Sequence, residues 1–141
     1  MVDKALFSSA TDEWATPQGL FDELNAEFKF DLDVCASHGN NKCFAYFTKE
    51  HCGLKGRWYG NVWCNPPYGK TVGDWVAKCQ LHAVEKKGIA VMLLPARTDV
   101  RWFHFYIYSQ PGVEIRFIRG RLKFGGSKNS APFPSMIVIF R

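Results

Sequence analysis

The sequence predicts an α/β fold: a mostly parallel sheet with helices on both faces, in a single domain spanning residues 1–141. Three observations predict it. Segments with the two-residue period of a strand alternate with segments of helical period along the chain. GIAVMLLP, residues 88–95, is an unbroken apolar run, as expected for a strand covered on both faces. A chain of 141 residues, 47% of them hydrophobic, is long enough to bury a real core and too apolar to stay disordered.

The first element is a helix over PQGLFDELNAEF, residues 17–28. Leu20, Phe21, Leu24 and Phe28 recur at helical spacing, Pro17 suits a first helical position and Thr16 an N-cap. FDLDV, residues 30–34, alternates apolar and acidic residues and predicts a strand ending at Cys35 and Ala36. Residues 40–57 fit neither period. YGNVWC, residues 59–64, predicts a short strand closed by Pro66 and Pro67, which cannot continue a central ladder. Val72, Trp75, Val76, Cys79, Ala83 and Val84 mark an amphipathic helix over 72–86. After the strand at 88–95, an aromatic-rich helix is expected over 99–109. Strands follow at VEIRFI, 113–118, and FPSMIVIF, 133–140, joined by the Gly-rich basic loop GRLKFGGSKNSAP.

Composition excludes several classes. No apolar run approaches the roughly 20 residues of a membrane span, and the first residues carry no secretory core, so a cytoplasmic protein is expected. The five cysteines are odd in number and none form a CxxC pair, which disfavours a disulfide framework and a zinc site; no metal is expected. The net charge of +5 favours a polyanionic partner. Its distribution sharpens that reading. Acidic residues gather at Asp12, Glu13, Asp22, Glu23 and Glu27. Arg97, Arg101, Arg116, Arg119, Arg121, Lys123 and Lys128 crowd the last third.

Ligands in such sheets bind beyond the carboxyl ends of the strands. Two of those ends are chemically loaded: Asp33 through Gly39, and Asn65-Pro66-Pro67-Tyr68. In the second, the Asn65 side-chain carbonyl and the Pro66 backbone carbonyl are acceptors, and prolines contribute no N–H. Two converging acceptors suit an exocyclic amino group, and Tyr68 suits stacking on the attached ring. A rigid turn is the plainer alternative.

NPPY resembles motif IV of the S-adenosylmethionine-dependent amino-group methyltransferases. LDVCASHGN resembles motif I of the adenine-N6 enzymes, with its glycines thinned, and WATPQGLFDEL looks like motif X. With NNKC, TKEHCGL, LLPARTDVRWFH, RGRLKF and PFPSMIVIF, residues 11–141 resemble the phage-type DNA N-6-adenine methyltransferase (Dam-like) family. The resemblance implies a compact, Rossmann-like class I methyltransferase fold without a separate target-recognition domain. It implies S-adenosylmethionine as cofactor and the N6 amino group of adenine in double-stranded DNA as target. Residue by residue, it assigns Asn65, Pro66, Pro67 and Tyr68 to catalysis. To the cofactor it assigns Thr16, Pro17, Asp33, Cys35, Ala36, Ser37 and Gly39. His38 lies in the same turn. Cys52 stands where the family commonly has an acidic residue, which implies either that Glu50 substitutes in contacting the cofactor's adenosine or that cofactor binding is weakened. Arg97, Arg119, Arg121, Lys123 and Lys128 are the candidate DNA contacts, the last four on a loop whose two glycines permit mobility. An amino-methyltransferase acting on RNA or on protein glutamine, and an inactive DNA-binding module of the same fold, are the alternatives.

Overall fold

The computed structural model describes residues 14–37, 39–51 and 53–141. Asp12, Glu13, His38 and Cys52 lie outside the described residues. Among the described residues, two α-helices, α1 (Gln18–Phe28) and α2 (Val72–Val84), and one π-helical turn (Phe103–Ile107) flank a six-stranded sheet. The strands are β1 (Leu32–Ala36), β2 (Tyr46–Thr48), β3 (Val62–Cys64), β4 (Ala90–Pro95), β5 (Val113–Phe117) and β6 (Ser135–Phe140). Their order is β2-β1-β3-β4-β6-β5. The pairings β1–β2, β1–β3 and β3–β4 are parallel, whereas β6 runs antiparallel to both β4 and β5.

The apolar run of β4 is buried throughout because both of its faces are covered. Ala90, Met92 and Leu94 join Val72, Trp75, Val76 and Cys79 of α2, with Phe103 and Ile107 of the π turn. Val91 and Leu93 point the other way, into Phe21, Leu24 and Phe28 of α1 and Trp63 of β3. The strand period of two thus sends alternate residues to the two helical layers, as the sequence predicts. No described helix is long and apolar enough to cross a membrane.

The amino end of the sheet is stitched shut. Asn61 donates through Nδ2 to the Phe28 carbonyl at 2.7 Å and accepts from the Ile89 N–H at 3.1 Å. Gly88 adopts φ +156°, and a Cβ there would lie 2.0 Å from the Gly60 carbonyl oxygen, so only glycine fits. These turns explain why β3 and β4 begin later than their sequence patterns.

Other boundaries shift for local reasons. Lys29 takes a left-handed φ of 55° and its N–H bonds the Asn25 carbonyl, while the Phe30 N–H bonds the Asn25 side chain. Phe30 and Asp31 therefore belong to the turn, and β1 starts at Leu32. The expected N-cap at Thr16 is corrected: Pro17 occupies that position without a side-chain cap, and the Thr16 hydroxyl is engaged elsewhere. The helix expected over 99–109 contracts to a π turn, closed by the Tyr108 N–H to the Phe103 carbonyl at 2.8 Å. Of its aromatics, Phe103 packs in the core and Phe105 is exposed. The ambiguous stretch 40–57 contributes one short edge strand, β2.

Candidate active site

A cavity of about 600 Å³ opens at the carboxyl ends of β1, β2 and β3, a volume suited to a small organic ligand. It brings together nine of the residues singled out above: Thr16, Asp33, Cys35, Ala36, Ser37, Glu50, Asn65, Pro66 and Pro67. Each wall has a local cause. Ala36 ends β1. The turn after β2 is folded by Thr48, whose hydroxyl accepts from the His51 N–H at 3.0 Å and whose carbonyl accepts from the Gly53 N–H. The two prolines follow β3 and contribute no backbone N–H to that wall.

Asn65 carries the polarity of the site. Its Nδ2 donates to the Trp14 carbonyl and, at 2.9 Å, to the Thr16 hydroxyl. A backbone carbonyl can only accept, so the nitrogen must face Trp14 and the oxygen must face away. That oxygen, Oδ1, is buried and has no partner among the described residues. Nor does any described residue bond the Pro66 carbonyl. Leaving a buried acceptor unpaired costs about 1–3 kcal/mol. The residue that carries this unpaired acceptor lines the cavity, so a ligand there has an acceptor within one residue of it to satisfy.

Asp33 supplies the negative charge. It is 3% exposed, and its carboxylate accepts from the Cys35 N–H at 3.2 Å and the Lys42 N–H at 3.0 Å. Burial pushes its pKa up to about 6, against the opposing pull of those two bonds. The Lys42 ammonium reaches instead to the Gln18 side chain at 2.7 Å.

Other predicted residues stand outside the cavity lining. Pro17 opens α1, and Gly39 occupies an open turn at φ +79°. Tyr68 is half-buried: its hydroxyl donates to the Leu93 carbonyl at 3.0 Å, and burial raises its pKa. Its ring meets Phe124 and Phe133 edge-on, with centroids 6.4 and 5.6 Å away. Arg97 is exposed and pairs with Asp99.

Arg119, Arg121, Lys123 and Lys128 make no ion pair with a described carboxylate, and all four are exposed. Their loop is anchored rather than loose. Phe124 is buried in its middle, among Trp14, Tyr68 and Phe133, and the Gly125 N–H bonds the Ala15 carbonyl at 2.9 Å. The basic loop is therefore bolted beside the Asn-Pro-Pro turn.

Sequence reasoning missed six lining residues: Trp14, Ala15, Asn40, Lys42, Lys49 and His51. They fall within WATPQ, NNKC and TKEHCGL, whose spellings carry the family resemblance, but no periodicity or charge pattern marks them singly.

Comparison with known proteins identifies the family of the chain. Residues 4–141 match the family described as DNA N-6-adenine-methyltransferase (Dam). The chain is also 30% identical over 140 residues to a DNA N-6-adenine-methyltransferase of Haemophilus phage HP1 (strain HP1c1), covering 94% of this chain and 80% of that relative. No solved structure matches it. With a match over nearly its whole length, the chain belongs to the Dam family of DNA N-6-adenine methyltransferases.

Proposed function

We propose that this protein transfers a methyl group from S-adenosylmethionine to the N6 amino group of adenine in double-stranded DNA, on a compact Rossmann-like class I methyltransferase fold. The observation that carries the reading is the orphaned, buried Oδ1 of Asn65, a residue that lines the same cavity as the buried Asp33. A donor-poor wall and a carboxylate in one cavity fit a ligand that brings an amino group to each. The parallel block β2-β1-β3-β4, with its cavity at the carboxyl ends, supports the fold assignment.

When bound, S-adenosylmethionine supplies an activated methyl group. Asp33 pairs with its ammonium. Cys35, Ala36 and Ser37 would line its approach, with Glu50 toward the adenosine, while Thr16 serves Asn65 rather than the cofactor. Pro17 and Gly39 shape the flanking turns.

The remaining residues orient the target. The adenine is flipped from the duplex, because its amino group is unreachable inside the stack. Asn65 Oδ1 and the Pro66 carbonyl accept its two N6 hydrogens, which fixes the amino group and spreads the positive charge that develops on it. Pro67 keeps this turn rigid, and Tyr68 stacks on the ring. Positioning and electrostatics are the whole of the protein's contribution to the step. Arg119, Arg121, Lys123 and Lys128, with Arg97, contact the phosphates and hold the duplex over the cavity.

The test is expression in a bacterial host that lacks DNA methylation, followed by mapping of N6-methyladenine. Modified adenines recurring in one sequence context support the reading. DNA free of the modification, from cells that contain folded protein, contradicts it.

A further inference from the structure

Trp14, Ala15 and Thr16 lie between the Asn-Pro-Pro turn and the basic loop, and their polar groups alternate between the two. The Trp14 carbonyl and the Thr16 hydroxyl receive the two Nδ2 hydrogens of Asn65, and the Ala15 carbonyl between them receives the Gly125 N–H at 2.9 Å. We propose that Thr16 is a positioning residue for methyl transfer, whose hydroxyl fixes the plane of the Asn65 amide so that Oδ1 is aimed at the target amino group. This rests on the reading of Asn65 given above.

The two partners of Asn65 do different work. The Trp14 carbonyl decides which end of the amide is nitrogen, since two oxygens facing each other would repel. A single bond still lets the amide plane swing about the terminal side-chain torsion, which is broad for asparagine. The second bond, to a hydroxyl on a residue only 5% exposed, removes that swing. Thr16 is not the cap residue of α1, a position that Pro17 occupies. The strap is itself held in register by the basic loop: Phe124 and Phe133 pack on Trp14, with centroids 5.3 and 5.2 Å away, and Gly125 fastens Ala15. The acceptor that meets the base and the loop that meets the phosphates are thus tied to the same three residues.

The experiment compares Thr16→Val, which keeps the shape and loses the hydroxyl, with Thr16→Ser, which keeps the hydroxyl. Readouts are kcat, KM for DNA, cofactor affinity by calorimetry, and solvent exchange of the Asn65 side-chain amide hydrogens by NMR. Loss of one hydrogen bond and of aim should lower kcat by about tenfold in Thr16→Val, while KM and cofactor affinity stay within about twofold. Thr16→Ser should restore most of the rate. The amide hydrogens should be protected in the wild type and exchange faster in Thr16→Val. An unchanged kcat in Thr16→Val overturns the inference. So does a loss confined to cofactor affinity, or amide hydrogens of the folded wild type that exchange as freely as an exposed asparagine. The last result stands even if Thr16→Val fails to fold. Full turnover by Asn65→Ala would overturn the reading of Asn65 itself. An inactive Asn65→Ala beside a fully active Thr16→Val would overturn only the role of Thr16.

Discussion

The Tyr68 hydroxyl donates to the Leu93 carbonyl at 3.0 Å, which ties the aromatic residue of the Asn-Pro-Pro-Tyr turn to the central strand β4. The ring is therefore positioned from its far end. Tyr68→Phe leaves the Leu93 carbonyl without this partner and should lower stability by about 1 kcal/mol, read by chemical denaturation. KM for DNA should stay unchanged, because stacking needs the ring alone. Tyr68→Ala should raise KM as well, since it removes a base–aromatic interaction of about 1–3 kcal/mol. An equal KM in both variants would remove the ring from the substrate site.

The elevated pKa of Asp33 makes two processes depend on pH in opposite directions. Its folded value of about 6 lies above the unfolded value of 3.8, so the fold favours the neutral acid. Its contribution to the stability of the unliganded chain is fully present below about pH 4 and is lost as pH rises through about 6. Pairing with the cofactor's ammonium needs the carboxylate. Cofactor affinity should therefore fall as pH drops below about 6, approaching about tenfold per pH unit. Calorimetry across that range checks it; an affinity indifferent to pH would mean that Asp33 does not face the ammonium. Asp33→Ala should bind weakly at every pH.

The basic loop gives a prediction about salt. Replacing Arg119, Arg121, Lys123 and Lys128 with glutamine should weaken binding to all DNA sequences alike. The slope of log affinity against log salt should shrink by roughly one for each phosphate that is no longer neutralised. A slope equal to that of the wild type would place the four charges in solvent.

The anchor of that loop is testable separately. Phe124 is 2% exposed, between the loop and the Asn-Pro-Pro-Tyr turn. Phe124→Ala should cost about 3–5 kcal/mol of stability. In the variant that remains folded, DNA affinity should fall although no charge has changed. DNA affinity equal to the wild type would show that the loop binds without its anchor.

Most of the layered architecture was legible in the chain. The 88–95 run declared a strand covered on both faces, and the spacing of Phe21, Leu24 and Phe28 declared the face that covers it. The two loaded segments, after Asp33 and at Asn65, were legible as well, because small residues or prolines after a strand are conspicuous, although Asp33 itself lies within β1, near its start. Less visible were features made by tertiary contact. Thr16 reads as a cap in sequence, yet its hydroxyl serves a residue 49 positions away. The Gly-Gly pair at 125–126 reads as flexibility, yet the Gly125 N–H bolts the loop to Ala15. Lys42 reads as an ordinary charge, yet its backbone N–H holds the Asp33 carboxylate. Local propensity reports none of these, since each partner is distant in sequence.

The central claim is that Asn65 presents an acceptor to the target amino group, and single-turnover methylation by Asn65→Ala tests it most directly. Asn65→Ala removes Oδ1, which has no partner among the described residues, together with the Nδ2 bonds to the Trp14 carbonyl and the Thr16 hydroxyl, so folding and cofactor binding are measured on the same protein as the rate. The rate of methyl transfer to DNA, measured with labelled cofactor, should fall by about a hundredfold or more, in line with losing a preorganised charge-stabilising group. Cofactor affinity measured by calorimetry on the same preparation should remain within about threefold of the wild type, less than one ordinary hydrogen bond. A folded Asn65→Ala protein that methylates DNA at the wild-type rate would contradict the account and reduce Asn65-Pro66-Pro67 to a turn.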